Sequence, residues 1–406
     1  MPVGGIVKLD LRAVAGIRLG TSSAGIRQTQ RDDLTIIEMA HASQVAAVFT
    51  NNRFCAAPVS VAKKHLAEAV PRYLLINSGN ANAGLGELGL SAAQQCCEGL
   101  ARLTQLTESK VLPFSTGVIG EALPTNKLIA GLAPALDNLS TDNWANAAAA
   151  IMTTDTCEKG CSQTLMLGGQ TVTITGIAKG SGMIRPDMAT MLSYIATDMP
   201  ISRPLLQRML KKAVDASFNS ITVDGDTSTN DAVVLIATAA LDCNEMESID
   251  DPRYEEFFNK LNEVCLYLAE AIVRDGEGAT KLIRVQVEQA ASEEDAKEVA
   301  YTVAHSPLVK TAFFAADPNW GRILSAVGRA KIDYIDVDNV AIYLDQTCIV
   351  KAGKRCEEYT EEQGQQVMNQ DDIVVRICMG QGEHRASVLS CDLSYDYVKI
   401  NAEYRS

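Results

Sequence analysis

What the chain lacks narrows it before any motif is found. No stretch of apolar sequence is long enough to cross a bilayer. The start, Met1-Pro2-Val3-Gly4-Gly5, shows no basic segment ahead of an apolar run, so no signal peptide is expected and the cytoplasm is the expected setting. Histidine is scarce: His41, His65, His305 and His384 stand far apart, without zinc-type spacing, and a structural metal is not expected. The eleven cysteines form no C-x-x-C, the nearest pairs being Cys96-Cys97 and Cys157/Cys161. Reduced thiols are therefore expected rather than a disulfide framework. Basic excess is also missing. A formal net charge of -14 argues against nucleic acid and against an anionic membrane surface, both of which want a basic patch.

What is present is an ordinary globular composition, 47% hydrophobic and 21% charged, in 406 residues, enough for two domains. Short apolar runs alternate with Gly, Ser and Asn breakers, as strands do, at Leu34–Glu38, Ala46–Thr50 and Tyr73–Asn77. The last runs into Asn77-Ser78-Gly79-Asn80-Ala81-Asn82-Ala83-Gly84, which reads equally as a tight turn or as the lining of a site. Ser91–Leu106 reads as a helix with Ser91 as its N-cap. Ser115-Thr116-Gly117 then sets hydroxyls beside a glycine, where a backbone N–H can approach a ligand. An alanine-rich helix over Asp142–Met152 leads into Thr153-Thr154-Asp155-Thr156, read as a capping or turn cluster. Thr171–Thr175 alternates as a strand.

Helices are expected over Pro204–Ala216, with Leu205, Met209, Ala213 and Ala216 on one face, and from Pro252, with Phe257, Leu261, Val264, Leu268 and Ile272 in register. The run Asp224–Asp231 looks at first like a calcium loop, but it lacks the glycine at position six and the closing glutamate. It reads as a polar loop at the edge of a site. Ala232–Thr238 is a strand covered on both faces. Glu277, between Gly276 and Gly278, reads first as part of a solvated helix-end loop, with a ligand-facing carboxylate as the alternative. One further helix is expected over Ser292–Ala312, then a loop anchored by Trp320, then strands and turns to the end.

The stretch that organises the chain is Lys179-Gly180-Ser181-Gly182-Met183-Ile184-Arg185-Pro186-Asp187-Met188-Ala189-Thr190. It is a glycine-rich turn carrying a cation, then a φ-fixing proline, then a small residue immediately before a hydroxyl. It reads as a shaped loop that delivers Thr190 to the start of a buried element.

These residues resemble the self-cleavage motif of the ornithine acetyltransferases, also called glutamate N-acetyltransferases, of arginine biosynthesis. The resemblance spans nearly the whole chain in the same order: Ala46-Ala-Val-Phe-Thr-Asn-Asn-Arg-Phe54, the Asn77 turn, Ser115–Gly120, Met152–Thr156, Asp275–Lys281, Asp317-Pro-Asn-Trp-Gly-Arg322, and Asn401 to Ser406. It departs at Cys157-Glu158-Lys159, where the family often has a proline before the lysine.

The resemblance implies an α/β fold of two α/β domains with layered sheets and helices, in a self-processing N-terminal-nucleophile architecture. It implies a cut between Ala189 and Thr190, giving an α chain (1–189) and a β chain (190–406) that assemble as an α2β2 heterotetramer. Thr190 becomes the nucleophile, and Thr116 and Gly117 match the oxyanion hole. Thr153, Lys179, Thr190, Glu277, Asn401 and Ser406 match the substrate-binding positions. The implied reaction moves acetyl from N-acetylornithine to glutamate in a ping-pong cycle without a cofactor. Some members also take acetyl-CoA as a co-substrate, and the residues leave both readings open.

The chemistry of the residues agrees. A threonine hydroxyl needs an adjacent base, and cleavage before Thr190 frees an α-amine whose pKa of about 7.7–8.0 suits that task. Two alternatives share parts of this reading: a self-processing aminopeptidase or amidohydrolase, which would pass the acyl group to water, and a non-catalytic amino-acid-binding protein.

Overall fold

The apolar runs of the N-terminal half become strands of two stacked sheets. The computed structural model describes residues 1–27, 31–185 and 191–403, and the chain divides into a larger unit (residues 7–219 and 226–272) and a smaller one (1–6, 220–225 and 273–406).

In the larger unit, a four-stranded sheet has the order Ile17–Ser22, Leu34–Met39, Tyr73–Asn80, Val111–Val118, the last pair parallel. A five-stranded sheet has the order Gln44–Phe49, Ala232–Ala237, Leu192–Thr197, Gln170–Lys179, Lys159–Leu167. Strand alternation sends neighbouring residues to opposite faces, and the cores record it. Ile37, Leu74 and Phe114 meet Ile177, Tyr194 and Val234 in one cluster between the sheets, with the Phe114 and Tyr194 rings edge-to-face at 5.4 Å. Ile36, Leu75 and Val111, on the other face of the same strands, pack instead with Cys97, Leu100 and Leu132, on helices Glu87–Thr104 and Thr125–Asp137.

Phe257, Leu261, Val264, Leu268 and Ile272 of helix Tyr254–Arg274 are all fully buried, as their spacing requires. A Cβ on Gly176 of the five-stranded sheet would lie 2.9 Å from Leu268, so that helix lies directly on the strand. Strand Ala232–Ala237 is buried along its whole length, as expected of a strand covered on both faces.

The smaller unit holds a six-stranded mixed sheet with the order Lys354–Arg355, Thr347–Lys351, Ala341–Leu344, Asp372–Cys378, Leu282–Ala290, His384–Cys391. Val285, Val287 and Val375 pack against Val299, Val303, Phe313 and Ile323 from helices over it. The expected α/β class with layered sheets and helices is thus what the chain forms.

Several elements differ from expectation. The helix expected over Ser292–Ala312 is two, Glu293–Ala304 and Pro307–Phe314. Pro307 cannot donate into a continuing helix, and Ser306 caps a new one by accepting from the Val309 N–H. The helix placed at Ser91 begins at Glu87 after Gly86, so Ser91 is not its N-cap. Ala216 is exposed, although Leu205, Met209 and Ala213 are buried. Trp320 opens helix Trp320–Gly328 rather than a loop. The C-terminal part, read as strands and turns, also contains helices Glu361–Met368 and Tyr395–Ala402. Short polar helices with a narrow apolar face leave little periodic signal.

Candidate active site

Thr116 and Gly117 close the strand Val111–Val118 at its parallel pairing with Tyr73–Asn80. Gly117 has φ +136°, and a Cβ there would sit 2.2 Å from the carbonyl carbon of Gly79. Only glycine lets the two strands approach so closely at this point.

Side-chain amides hold the strand ends. The Ser115 hydroxyl donates to Asn77 Oδ1 at 2.6 Å, and Asn77 Nδ2 donates to the Asn80 carbonyl at 2.9 Å. Asn230, from the loop leading into strand Ala232–Ala237, donates through Nδ2 to the carbonyls of Ala81 (2.6 Å) and Ser115 (2.9 Å). The stretch from Asn77 is therefore strand as far as Asn80 and turn beyond it, with Asn82 at φ +48° and Gly84 at φ +77°.

Lys179 ends strand Gln170–Lys179 and is paired across the sheet with Leu192, the first residue of the strand that follows Thr190 and Met191. Its buried ammonium donates to Thr153 Oγ1 at 2.7 Å and to Thr116 Oγ1 at 3.2 Å. The structure therefore brings together three positions far apart in sequence: Thr116, Thr153 and Lys179.

Behind them lies Asp155. Its Oδ1 accepts from Lys159 Nζ and from the Gly180 N–H, each at 2.7 Å, and its Oδ2 accepts from the Thr153 N–H at 2.8 Å. Burial alone would push the Asp155 carboxyl up; the charges of Lys159 and Lys179 and the hydrogen bonds from Lys159 and Gly180 hold it well below the usual carboxylate range. Burial pulls the Lys179 ammonium below the ordinary lysine value, opposed chiefly by the charge of Asp155. Burial pushes Asp231 well above its usual value, against hydrogen bonding from Ser228 and the charge of Lys179, and its Oδ2 has no hydrogen-bond partner.

The turn cluster expected over residues 153–156 and the polar loop expected over Asp224–Asp231 at the edge of a site single out neither Asp155, Lys159 nor Asn230. The one available signal was an acid four residues ahead of a lysine, and exposed helices produce that spacing constantly.

In the smaller unit Glu277 is buried, not part of a solvated loop, and accepts from Asn401 Nδ2 at 2.8 Å. Its loop is fixed by Asp392, which accepts from the N–H groups of Thr280 (2.8 Å) and Lys281 (2.9 Å), and by Ser394, whose hydroxyl donates to the Gly278 carbonyl. Ala189, Thr190 and Ser406 lie outside the described residues. All eleven cysteines are free thiols. Among the described residues, no helix is long and apolar enough to cross a membrane.

The model of the ArgJ family matches residues 18–406. The arginine biosynthesis bifunctional protein ArgJ of Methylococcus capsulatus is 56% identical over 398 residues, covering 98% of this chain and 97% of its own. The protein of the same name from Pseudomonas fluorescens is 52% identical over 396 residues, covering 98% of each. The crystal structure of the bifunctional ArgJ protein from Bacillus halodurans matches with a TM-score of 0.51 at 38% identity, over 53% of this chain and all of that one. Matched from end to end at this level, the chain belongs to the ArgJ family.

Proposed function

We propose that this protein is an ornithine acetyltransferase of arginine biosynthesis. It moves the acetyl group of N2-acetyl-L-ornithine to L-glutamate through an ester on Thr190, after cutting itself between Ala189 and Thr190. The observation that carries the reading is the convergence of the Thr116 hydroxyl, Gly117 and the Lys179 ammonium beside the strand that Thr190 leads into.

In the maturation step, Thr190 Oγ adds to the Ala189 carbonyl carbon, the peptide C–N bond breaks, and water hydrolyses the resulting ester. The freed α-amine then serves as base. It takes the Oγ proton as Oγ attacks the acetyl carbon, and the tetrahedral oxyanion is held by the Thr116 O–H and the Gly117 N–H. Collapse breaks the C–N bond, and the proton passes to the departing α-amine of ornithine. Glutamate enters, its α-amine attacks the ester, and Thr190 Oγ recovers its proton.

Lys179 and Thr153 are assigned to the α-carboxylate common to both substrates, and Glu277 to the side-chain ammonium of ornithine. Asn401 and Ser406 supply polar contacts.

The sheet topology supports a cut whose products stay together. Strand Leu192–Thr197 is hydrogen-bonded between Gln170–Lys179 and Ala232–Ala237, and Ala232–Ala237 also pairs with Gln44–Phe49. A break before Thr190 thus leaves one sheet woven from both products. That the Bacillus halodurans chain is matched in full by 53% of this one is the size relation a mid-chain cut would give. The reading includes an α2β2 assembly in the cytoplasm. It also includes acetyl-CoA as a second donor for making N-acetylglutamate, in keeping with the word bifunctional in the relatives' names.

The test is acetyl transfer to glutamate with N2-acetylornithine and acetyl-CoA as rival donors, alongside intact mass. Wild type should give two products of about half mass and N-acetylglutamate from either donor. Thr190→Ala should stay whole and inactive. Release of acetate without N-acetylglutamate would overturn the transferase reading in favour of a hydrolase.

A further inference from the structure

An oxyanion hole built on a hydroxyl has a weakness that one built on backbone amides does not. The Thr116 O–H has a single proton and a free rotor, so any acceptor beside it can divert that proton from the oxyanion. Here the group beside it is a donor. The Lys179 ammonium lies 3.2 Å from Thr116 Oγ1, has no lone pair, and cannot accept. It fills one lone pair of the hydroxyl, and the Thr116 proton donates to no acceptor among the described residues. The second Lys179 bond, to Thr153 Oγ1 at 2.7 Å, fixes the ammonium from the other side.

We propose that Lys179 is a positioning residue for the oxyanion hole, locking the Thr116 hydroxyl as a donor and placing a positive charge one hydrogen bond behind it. This role is separate from holding the substrate carboxylate, and it rests on the acetyl-transfer reading above.

The surroundings keep the ammonium available for it. The charged groups acting on Lys179 are Asp155, Lys159, Asp231 and Arg27. Asp155 is the strongest support, yet it makes no hydrogen bond to Lys179, because its oxygens are taken by Lys159 and by the Gly180 and Thr153 N–H groups. It stabilises the charge through space without neutralising it by contact. A lysine paired directly with a carboxylate would deliver far less field to Thr116.

A double-mutant cycle tests this. Lys179→Met, Thr116→Val and the double variant, each checked by mass for the cut, are assayed with N2-acetylornithine and with mono-N-acetylated 1,4-diaminobutane, which lacks the carboxylate. Thr116→Val should lower kcat by about 10²–10³. Lys179→Met should lower kcat by at least about tenfold, the range of a lost charge-assisted hydrogen bond. That loss should appear with both donors, and the double variant should be no slower than Thr116→Val.

Losses that multiply would overturn the proposal, as would a Lys179→Met defect confined to KM and to the carboxylate-bearing donor. Should Lys179→Met stay uncut, Asp155→Asn gives the second readout. Its alkaline limb of kcat should lie at lower pH than that of wild type, and an unmoved limb would overturn the proposal. Absence of transfer by wild type from either donor would instead refute the underlying reading.

Discussion

Lys159 Nζ lies 2.7 Å from Asp155 Oδ1, and neither side chain reaches solvent, at 1% and 0% exposure. A pair so placed recovers its desolvation cost only while both partners and their hydrogen bonds are intact. Removing one charge strands the other. Lys159→Met should therefore destabilise the protein by about 3–5 kcal/mol, the range for a broken buried pair. Denaturant midpoints of the two proteins measure it, and equal midpoints would show that the pair contributes nothing net.

The same pair sets an acid limit. The Asp155 carboxyl lies lower in the folded protein than in the unfolded chain, because Lys159, Lys179 and the Gly180 N–H outweigh its burial. Such a group contributes stability in full above its unfolded value, and that contribution is lost as pH falls towards the folded one. Stability should therefore begin to fall below about pH 4, where an unfolded aspartate titrates. Asp155→Asn should show a shallower loss between pH 5 and pH 3 in thermal-melt measurements, and parallel curves would move the acid sensitivity elsewhere.

Two glycines with positive φ make a controlled comparison. A Cβ on Gly117 would meet the Gly79 carbonyl carbon at 2.2 Å and the Asn80 nitrogen at 2.5 Å, whereas one on Gly120 would meet nothing within 4 Å. Both substitutions carry a left-handed-backbone cost, about 1–2 kcal/mol. Only Gly117→Ala also pushes apart the strands that hold the N–H proposed here as an oxyanion donor. Its kcat should fall by about 10²–10³ with KM little changed, while Gly120→Ala stays within a few-fold of wild type. Similar rates in the two variants would remove Gly117 from the oxyanion hole.

These contrasts show what kind of information the residue string carried. Long amphipathic runs were legible: the buried positions of helix Tyr254–Arg274 follow from spacing alone, and strand Ala232–Ala237 from its unbroken apolar run. The candidate positions Thr116, Gly117, Thr153 and Lys179 come from the resemblance, since a Ser-Thr-Gly triplet or a lone lysine has no pattern of its own. Asn230 and the Asp155–Gly180 contact are not legible in the residue string because the partners, Ser115 and Gly180, lie more than 20 residues away, and the near partner of Asp155, Lys159, stands at a spacing that exposed helices share. Pro307 is a purely local signal, and the helix break it causes within the expected Ser292–Ala312 span is among the most predictable in the chain.

Asn230 supplies the strictest of the expected outcomes, because one atom does two jobs. Its Nδ2 donates both to the Ala81 carbonyl and to the carbonyl of Ser115, the residue directly before Thr116. Asn230→Ala should leave two buried carbonyls unsatisfied, at about 1–3 kcal/mol each, and let the peptide ahead of Thr116 rotate. The expected result is a lowered unfolding midpoint and a fall in kcat of about tenfold or more, with KM less affected. Asn230→Asp should be worse at neutral pH, since it sets a carboxylate against two acceptors with no proton to give. On acidification it should recover in part, as a protonated carboxyl can donate to one of the two carbonyls. The measurement is kcat and melting midpoint for the three proteins at neutral and at mildly acidic pH. If Asn230→Asp matched wild type at neutral pH, the side chain would not be acting as a donor, and its role in holding Thr116 would have to be given up.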